Sequence, residues 1–259
     1  MPEPMLELHQ VNKHFGGLRA VDEVSFTVEA GSIKGVIGPN GAGKSTLFNL
    51  IACNTPLSGG IIHFGGQEIQ GLKPYQTAAL GIARTFQNIK LFAGMNVLEC
   101  VMVGAHTRGR AGFVAGLLPL PKHRREEAVI REKSMACLDF LGIADLAHSQ
   151  ADLLAFGQQR AVELARALAA EPRLLLLDEP AAGLNIYETA ELGRQIKSIQ
   201  ERGITVLLVE HDMSLVMDIC DEIVVLSSGR KLADDIPVRI QRNPEVIAVY
   251  LGEEYEPAR

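Results

Sequence analysis

Nine residues constrain this chain more than any others. Gly38-Pro39-Asn40-Gly41-Ala42-Gly43-Lys44-Ser45-Thr46 fits the pattern G-x-x-x-x-G-K-[ST]. The stretch before it, Ser32 to Ile37, reads as a short strand, and the stretch from Lys44 carries Leu47, Phe48, Leu50 and Ile51 at helical spacing. Between a strand and a helix, the glycines let successive backbone N–H groups turn inward around a polyphosphate, and the helix N-terminus adds a field that favours the anion. Lys44 supplies a point charge to the terminal phosphates, and the Ser45 hydroxyl can ligate Mg²⁺. A glycine-rich turn of no special chemistry is the alternative, and the strand–loop–helix setting favours the nucleotide.

Such a site needs an acidic residue at the end of a buried strand, and Leu174-Leu175-Leu176-Leu177-Asp178-Glu179 offers one. Four leucines assign the strand to the core, and the carboxyl ends of strands are where open α/β sheets bind ligands. Asp178 is expected to hold Mg²⁺, directly or through water, and Glu179 to orient or deprotonate the attacking water. Taken alone, Asp-Glu after an apolar strand also describes an ordinary solvated loop.

Around these motifs, Met5 to Val11 and Val24 to Val28 alternate like strands of an opening β-rich segment. A largely helical block runs from about Met95 to Ala147, with opposed apolar and charged faces over Glu126 to Leu141. Helices are expected from Gly157 to about Ala170 and from about Tyr187 to Arg202, with apolar strands at Thr205 to Val209 and Ile223 to Leu226. Continuous apolar strands separated by helices predict a parallel sheet covered on both faces, with the helical block inserted into it. Short helices from Ile236 to Tyr250 close the chain.

The composition of the 259 residues, 47% hydrophobic and 22% charged, supports a packed core and excludes a disordered chain. A net charge of -6 argues against a nucleic-acid binder. No apolar run approaches the ~18 residues of a membrane helix, and Met1-Pro2-Glu3-Pro4 lacks the features of a secretory signal. Cys53, Cys100, Cys137 and Cys220 are too scattered for a zinc or disulfide framework, so reduced thiols are expected.

Four further elements occur in order: Gln87 after Phe86; Leu154-Ala155-Phe156-Gly157-Gln158-Gln159-Arg160 opening a helix ahead of Asp178; Ala182-Gly183-Leu184-Asn185 after the acidic pair; and Val209-Glu210-His211-Asp212 ending the next strand. Together with the phosphate loop they resemble the nucleotide-binding subunit of ABC transporters over nearly the whole chain. The resemblance implies an α/β P-loop NTPase of the ABC ATPase fold: a mostly parallel core sheet, an N-terminal antiparallel β-subdomain and an inserted α-helical subdomain. Within one domain, residues 1–93 and 159–230 would form the ATP-binding core with the β-subdomain, 94–158 the helical signature subdomain and 231–259 a tail.

The resemblance also implies roles. ATP would be bound by Phe15 (stacking on adenine, unless it is an ordinary core residue), by Gly38 through Thr46, and by Gly157, Gln158 and Asn185. Mg²⁺ would be held by Ser45, Gln87 and Asp178, and hydrolysis carried by Glu179, His211 and Gln87. The signature acts in trans, so a second ATP-binding subunit is implied, identical or paralogous. Two membrane permeases and, indirectly, a periplasmic solute-binding protein complete the set, at the cytoplasmic face of the inner membrane; the isolated subunit is expected to be peripheral and soluble. Ile89, Leu91, Phe92 and Met95 follow Gln87 and serve either the permease contact or the subdomain core. The basic stretch His106 to Arg125 is either a solvated face or a contact for anionic headgroups.

Two departures stand out. Ala155 and Phe156 replace the family's Ser and first Gly, removing a hydroxyl, and Asn185 stands where Asp is usual, so the polar link across the dimer is expected to differ. The altered signature, with Asn243-Pro244-Glu245-Val246 near the end, resembles the subgroup that energises branched-chain amino-acid importers and their urea or amide relatives. A lipopolysaccharide-export ATPase and a soluble ABC ATPase outside transport are the competing readings.

Overall fold

The computed structural model describes residues 4–85, 87, 89–105 and 121–251. The apolar, β-rich start forms β1 (Pro4–Phe15) and β2 (Leu18–Glu29), long antiparallel strands joined through Gly16 at φ 58°. With β4 (Gly59–Phe64) and β5 (Gln67–Glu68) they make a four-stranded antiparallel sheet in the order β2-β1-β4-β5.

Strand β3 (Ile33–Ile37) passes through the loop 38–43 into helix α1 (Lys44–Ile51). It belongs to a second sheet of six strands, β10-β9-β3-β8-β7-β6. The members are β6 (Ile82–Arg84), β7 (Leu174–Asp178), β8 (Thr205–Val209), β9 (Glu222–Ser227) and β10 (Arg230–Asp235). All neighbours are parallel except β10, which runs antiparallel along the β9 edge. The helices are α2 (Pro74–Leu80), α3 (Val97–Ala105), α4 (Pro121–Phe140), α5 (Phe156–Ala169), α6 (Ile186–Glu201), α7 (Met213–Ile219), α8 (Pro237–Ile240) and α9 (Pro244–Leu251).

The alternation of side chains along each central strand feeds two cores at once. Leu174 and Leu176 of β7, with Leu207 and Val209 of β8, join the core shared with α1 and the antiparallel sheet. Leu175, Leu177, Val206 and Leu208 join the core built with α3 to α7. A strand buried on both faces has no polar face to alternate, which is why β7 reads as a run of leucines.

The expected α/β architecture, with an antiparallel β-subdomain and a helical insertion, is present. Five elements were not read from the sequence: β5, of two residues; α2; β6, of three residues; α7; and β10. The tail counted from residue 231 therefore starts one residue inside a strand of the central sheet, because Arg230 and Lys231 pair with Ser227 and Leu226. The boundary between 158 and 159 likewise cuts α5, which runs unbroken from Phe156. Residues 106–120 of the basic stretch lie outside the described residues.

Candidate functional site

Parallel register brings the chemistry to one edge. Ile37 pairs with Val225, Val36 with Val209, and Asp178 with Val209, so β3, β7 and β8 end side by side at their carboxyl ends. At that edge the chain leaves the sheet in loops that carry polar residues, the usual ligand position in open α/β sheets.

The loop 38–43 is shaped by its glycines. Gly38, Gly41 and Gly43 have φ of 151°, 81° and 100°. A Cβ on Gly38 would stand 2.1 Å from the Leu226 carbonyl oxygen, and one on Gly43 2.4 Å from that of Ala20. These two glycines are therefore steric necessities. Gly41 has open space around it, Pro39 accepts from the Ala42 N–H, and Asn40 and Ser45 are exposed, with Thr46 half-buried behind them. Lys44 is 5% exposed and its ammonium donates to the Gly38 and Pro39 carbonyls at 2.7 and 3.0 Å, which closes the loop over itself. Burial holds the Lys44 ammonium below its ordinary pKa, while Glu179 and Asp178 nearby pull the other way.

Asp178, buried at the end of β7, receives Arg84 Nη2 at 2.7 Å on Oδ2. Arg84 reaches from β6, and its other terminal nitrogen donates to Asn49 Oδ1 on α1 at 2.7 Å. Asp178 Oδ1 is buried and has no hydrogen-bond partner. An orphaned carboxylate oxygen is costly and fits a hard cation or its water. The donor set of Asp178, Ser45 and Gln87 is all oxygen, as Mg²⁺ prefers. Among the described residues no group of three His, Cys, Asp or Glu could enclose a metal alone, so phosphate oxygens and water would have to complete the shell.

Glu179 follows with φ 49°, a left-handed backbone that costs a non-glycine residue about 1–2 kcal/mol. That turn aims its carboxylate at the site. Oε2 accepts from Gln87 Nε2 at 2.6 Å, and Oε1 lies 3.0 Å from His211 Nε2. The three residues assigned to hydrolysis thus converge in one cluster, though they come from three separate loops.

Two residues that sequence reasoning passed over support the site, one at Asp178 and one behind Glu179 and His211. Arg84 is one; β6 is too short for a periodicity signal, so nothing in the sequence marked it. Glu210, 3% exposed, is the other. Its Oε1 accepts from the Ala181 N–H at 2.7 Å, and its Oε2 from those of His211 and Asp212 at 2.8 and 3.2 Å. It ties the turn after Glu179 to the backbone of His211. Its signal was visible: an acidic residue at the carboxyl end of an apolar strand, as Asp178 is on β7.

The remaining candidates lie apart. Phe15 is 51% exposed at the end of β1, with Lys13 Nζ 4.9 Å from its ring centroid, so it is not a core residue. Gly157 sits in the first turn of α5 against Glu188, where a Cβ would come 2.6 Å from Oε1. Gln158 folds its side chain back to accept from the Ala155 N–H at 3.2 Å, capping α5. Asn185 caps α6, accepting from Tyr187 and Glu188 N–H groups, with Glu188 accepting from the Asn185 N–H in return. Its side-chain oxygen is thereby engaged within its own chain, at the start of α6.

Ile89 and Leu91 are half-buried, Met95 packs on the core, and Phe92 is exposed. Leu91 and Phe92 line an open groove of about 510 Å³ with Ala83, Lys90, Val103 and Arg166. The four cysteines are free; burial raises each thiol, Cys220 to about 12, which leaves them unreactive. No described helix is long and apolar enough to cross a membrane.

The family model described as "ABC transporter" matches residues 21–182, and one described as "Branched-chain amino acid ATP-binding cassette transporter" matches residues 230–256. Over 254 residues the chain is 45% identical to the high-affinity branched-chain amino acid transport ATP-binding protein BraF of Pseudomonas aeruginosa, spanning 98% of this chain and 100% of that one. It is 41% identical to LivG of Escherichia coli over the same shares. A solved nucleotide-free ATP-binding cassette from an ABC transporter superposes with a TM-score of 0.85 at 30% identity, over 96% of this chain and 100% of the other. The ADP conformation of the cassette MJ1267 gives 0.84 at 29%, over 96% and 99%.

Proposed function

The chain belongs to the ABC transporter family of ATPases, and on that premise we propose that it is the ATP-hydrolysing subunit of a branched-chain amino-acid importer. The observation that carries the reading is Glu179, held between Gln87 and His211 beside the phosphate loop at the carboxyl edge of the sheet.

In this reading Gly38 to Thr46 wrap the triphosphate, Lys44 leaves its loop carbonyls for the terminal phosphates, and Phe15 offers its exposed ring to the adenine. Ser45, Gln87 and Asp178 would hold Mg²⁺, which would neutralise charge on the phosphates. Glu179 takes the proton of the attacking water, and His211 and Gln87 orient it. Both neighbours touch the base, so phosphate contacts that draw on Gln87 and His211 bear directly on its oxygens.

The signature turn at Gly157 completes the site on a second subunit rather than its own. Gly38 and Gly43 of the phosphate loop pack on Leu226, Ala20 and Gly229, whereas Gly157 packs on Glu188. Leu153, Ile186 and Tyr187, beside the signature and the acidic turn, are 75%, 85% and 87% exposed, an apolar surface suited to a partner cassette. A two-fold pairing puts each signature against the other chain's triphosphate. The groove of Leu91 and Phe92 receives the permease, and the protein works on the cytoplasmic face of the membrane.

The test is purification with the associated membrane proteins, followed by ATPase assays with binding proteins loaded with different solutes. Stimulation by leucine, isoleucine or valine is expected. Stimulation only by an unrelated solute refutes the import assignment, and an absence of MgATP hydrolysis refutes the ATPase assignment.

A further inference from the structure

We infer that Glu163 is a positioning residue that fixes the backbone of Gln87 to helix α5, so that motion at the groove reaches the base Glu179. This rests on the ATPase reading above. Glu163 is 1% exposed, within α5. Its Oε2 accepts from Arg160 Nη1 at 3.2 Å, and its Oε1 lies 3.5 Å from Arg166 Nη2. Each arginine stands three positions from Glu163, so all three lie on one face of the helix.

Both arginines turn a second nitrogen to the same piece of chain. Arg160 Nη2 donates to the Gln87 carbonyl at 2.7 Å, and Arg166 Nη1 to the Lys90 carbonyl at 2.6 Å. A guanidinium fork can hold a carboxylate with one nitrogen and a carbonyl with another in fixed geometry; a lysine ammonium has no such plane. The carboxylate therefore orients two forks, and the forks hold the backbone on either side of residue 88.

The same arginines reach outward. Arg160 lies 5.6 Å from the centroid of Phe156, next to Gly157, and Arg166 lies 5.9 Å from that of Phe92 and lines the groove. Gln87 then carries the link inward, 2.6 Å from Glu179 Oε2. One buried carboxylate thus joins the signature turn, the groove and the catalytic cluster. An apolar side chain facing the core here would avoid the desolvation cost of a buried charge, so the charge serves geometry.

The test compares Glu163→Gln in the otherwise unaltered protein and in a Gln87→Ala background, by MgATP turnover. In the unaltered background kcat is expected to fall about tenfold, as for a misplaced catalytic group. KM for ATP should change less than about twofold, because the phosphate loop and Phe15 are untouched. In the Gln87→Ala background the same substitution should lower kcat by less than about twofold, since the link already ends nowhere. Equal losses in both backgrounds, or a KM that rises in step with the fall in kcat, overturn the inference. Should Glu163→Gln fail to fold, Arg160→Lys keeps the cation and reads the same link: non-additivity with Gln87→Ala is expected, and additivity overturns it. No hydrolysis by the unaltered protein overturns both this and the ATPase reading, an outcome distinct from additivity.

Discussion

Replacing Glu179 by glutamine separates chemistry from binding more cleanly than any other change the site allows. The backbone there stays at φ 49°, and its strain of about 1–2 kcal/mol is common to both proteins. A glutamine oxygen can still accept from Gln87, 2.6 Å away, and its amide can donate to His211, 3.0 Å away, when that nitrogen carries no proton. Both partners are kept, so folding stability should change by less than about 1 kcal/mol. The carboxylate's proton affinity is lost, and a positioned general base is worth about 10²–10⁴ in rate. At 1.36 kcal/mol per factor of ten, the barrier should rise by roughly 3–5 kcal/mol. ATP affinity should hold or improve, because a negative charge close to the phosphates has gone. Single-turnover phosphate release, with nucleotide binding and sizing in MgATP, reads all three: hydrolysis falls, binding persists, and a dimer accumulates. Turnover within about threefold of the parent would refute the assignment of the base, and parallel loss of ATP binding would show that the substitution had broken the site.

Glu210→Ala should lower stability by about 2–4 kcal/mol, because the Ala181, His211 and Asp212 N–H groups lose their acceptor. Urea unfolding measures this, and a change below about 0.5 kcal/mol contradicts the proposed tie. Gly38→Ala should abolish ATP binding, since its Cβ would meet the Leu226 oxygen at 2.1 Å; retained affinity by calorimetry contradicts that packing. Lys44 titrates below its ordinary 10.5 in the folded protein. The unfolded chain therefore binds more protons between the two values, and this group adds stability as pH rises through that window. ATP affinity should meanwhile fall with a midpoint below 10.5, and a midpoint at or above it contradicts the burial effect.

The residues fixed by local chemistry were legible in the chain itself. A lysine after a glycine-rich turn, an acidic pair after four leucines and a histidine after an apolar strand carry their meaning in type and spacing, because strand ends and helix starts dictate them. So was the α/β class, since strands buried on both faces lose their alternation. Tertiary structure alone decided what depends on neighbours distant along the chain. Arg84 meets Asp178 only because a three-residue strand joins the sheet edge beside β7. Phe15 could be told from a core residue only by where β1 ends, and the capping of α5 by Gln158 and of α6 by Asn185 shows only once those helix starts are placed. Glu163 reads in the sequence as one charge on an amphipathic helix; the fold buries it and turns two arginines onto the chain around Gln87.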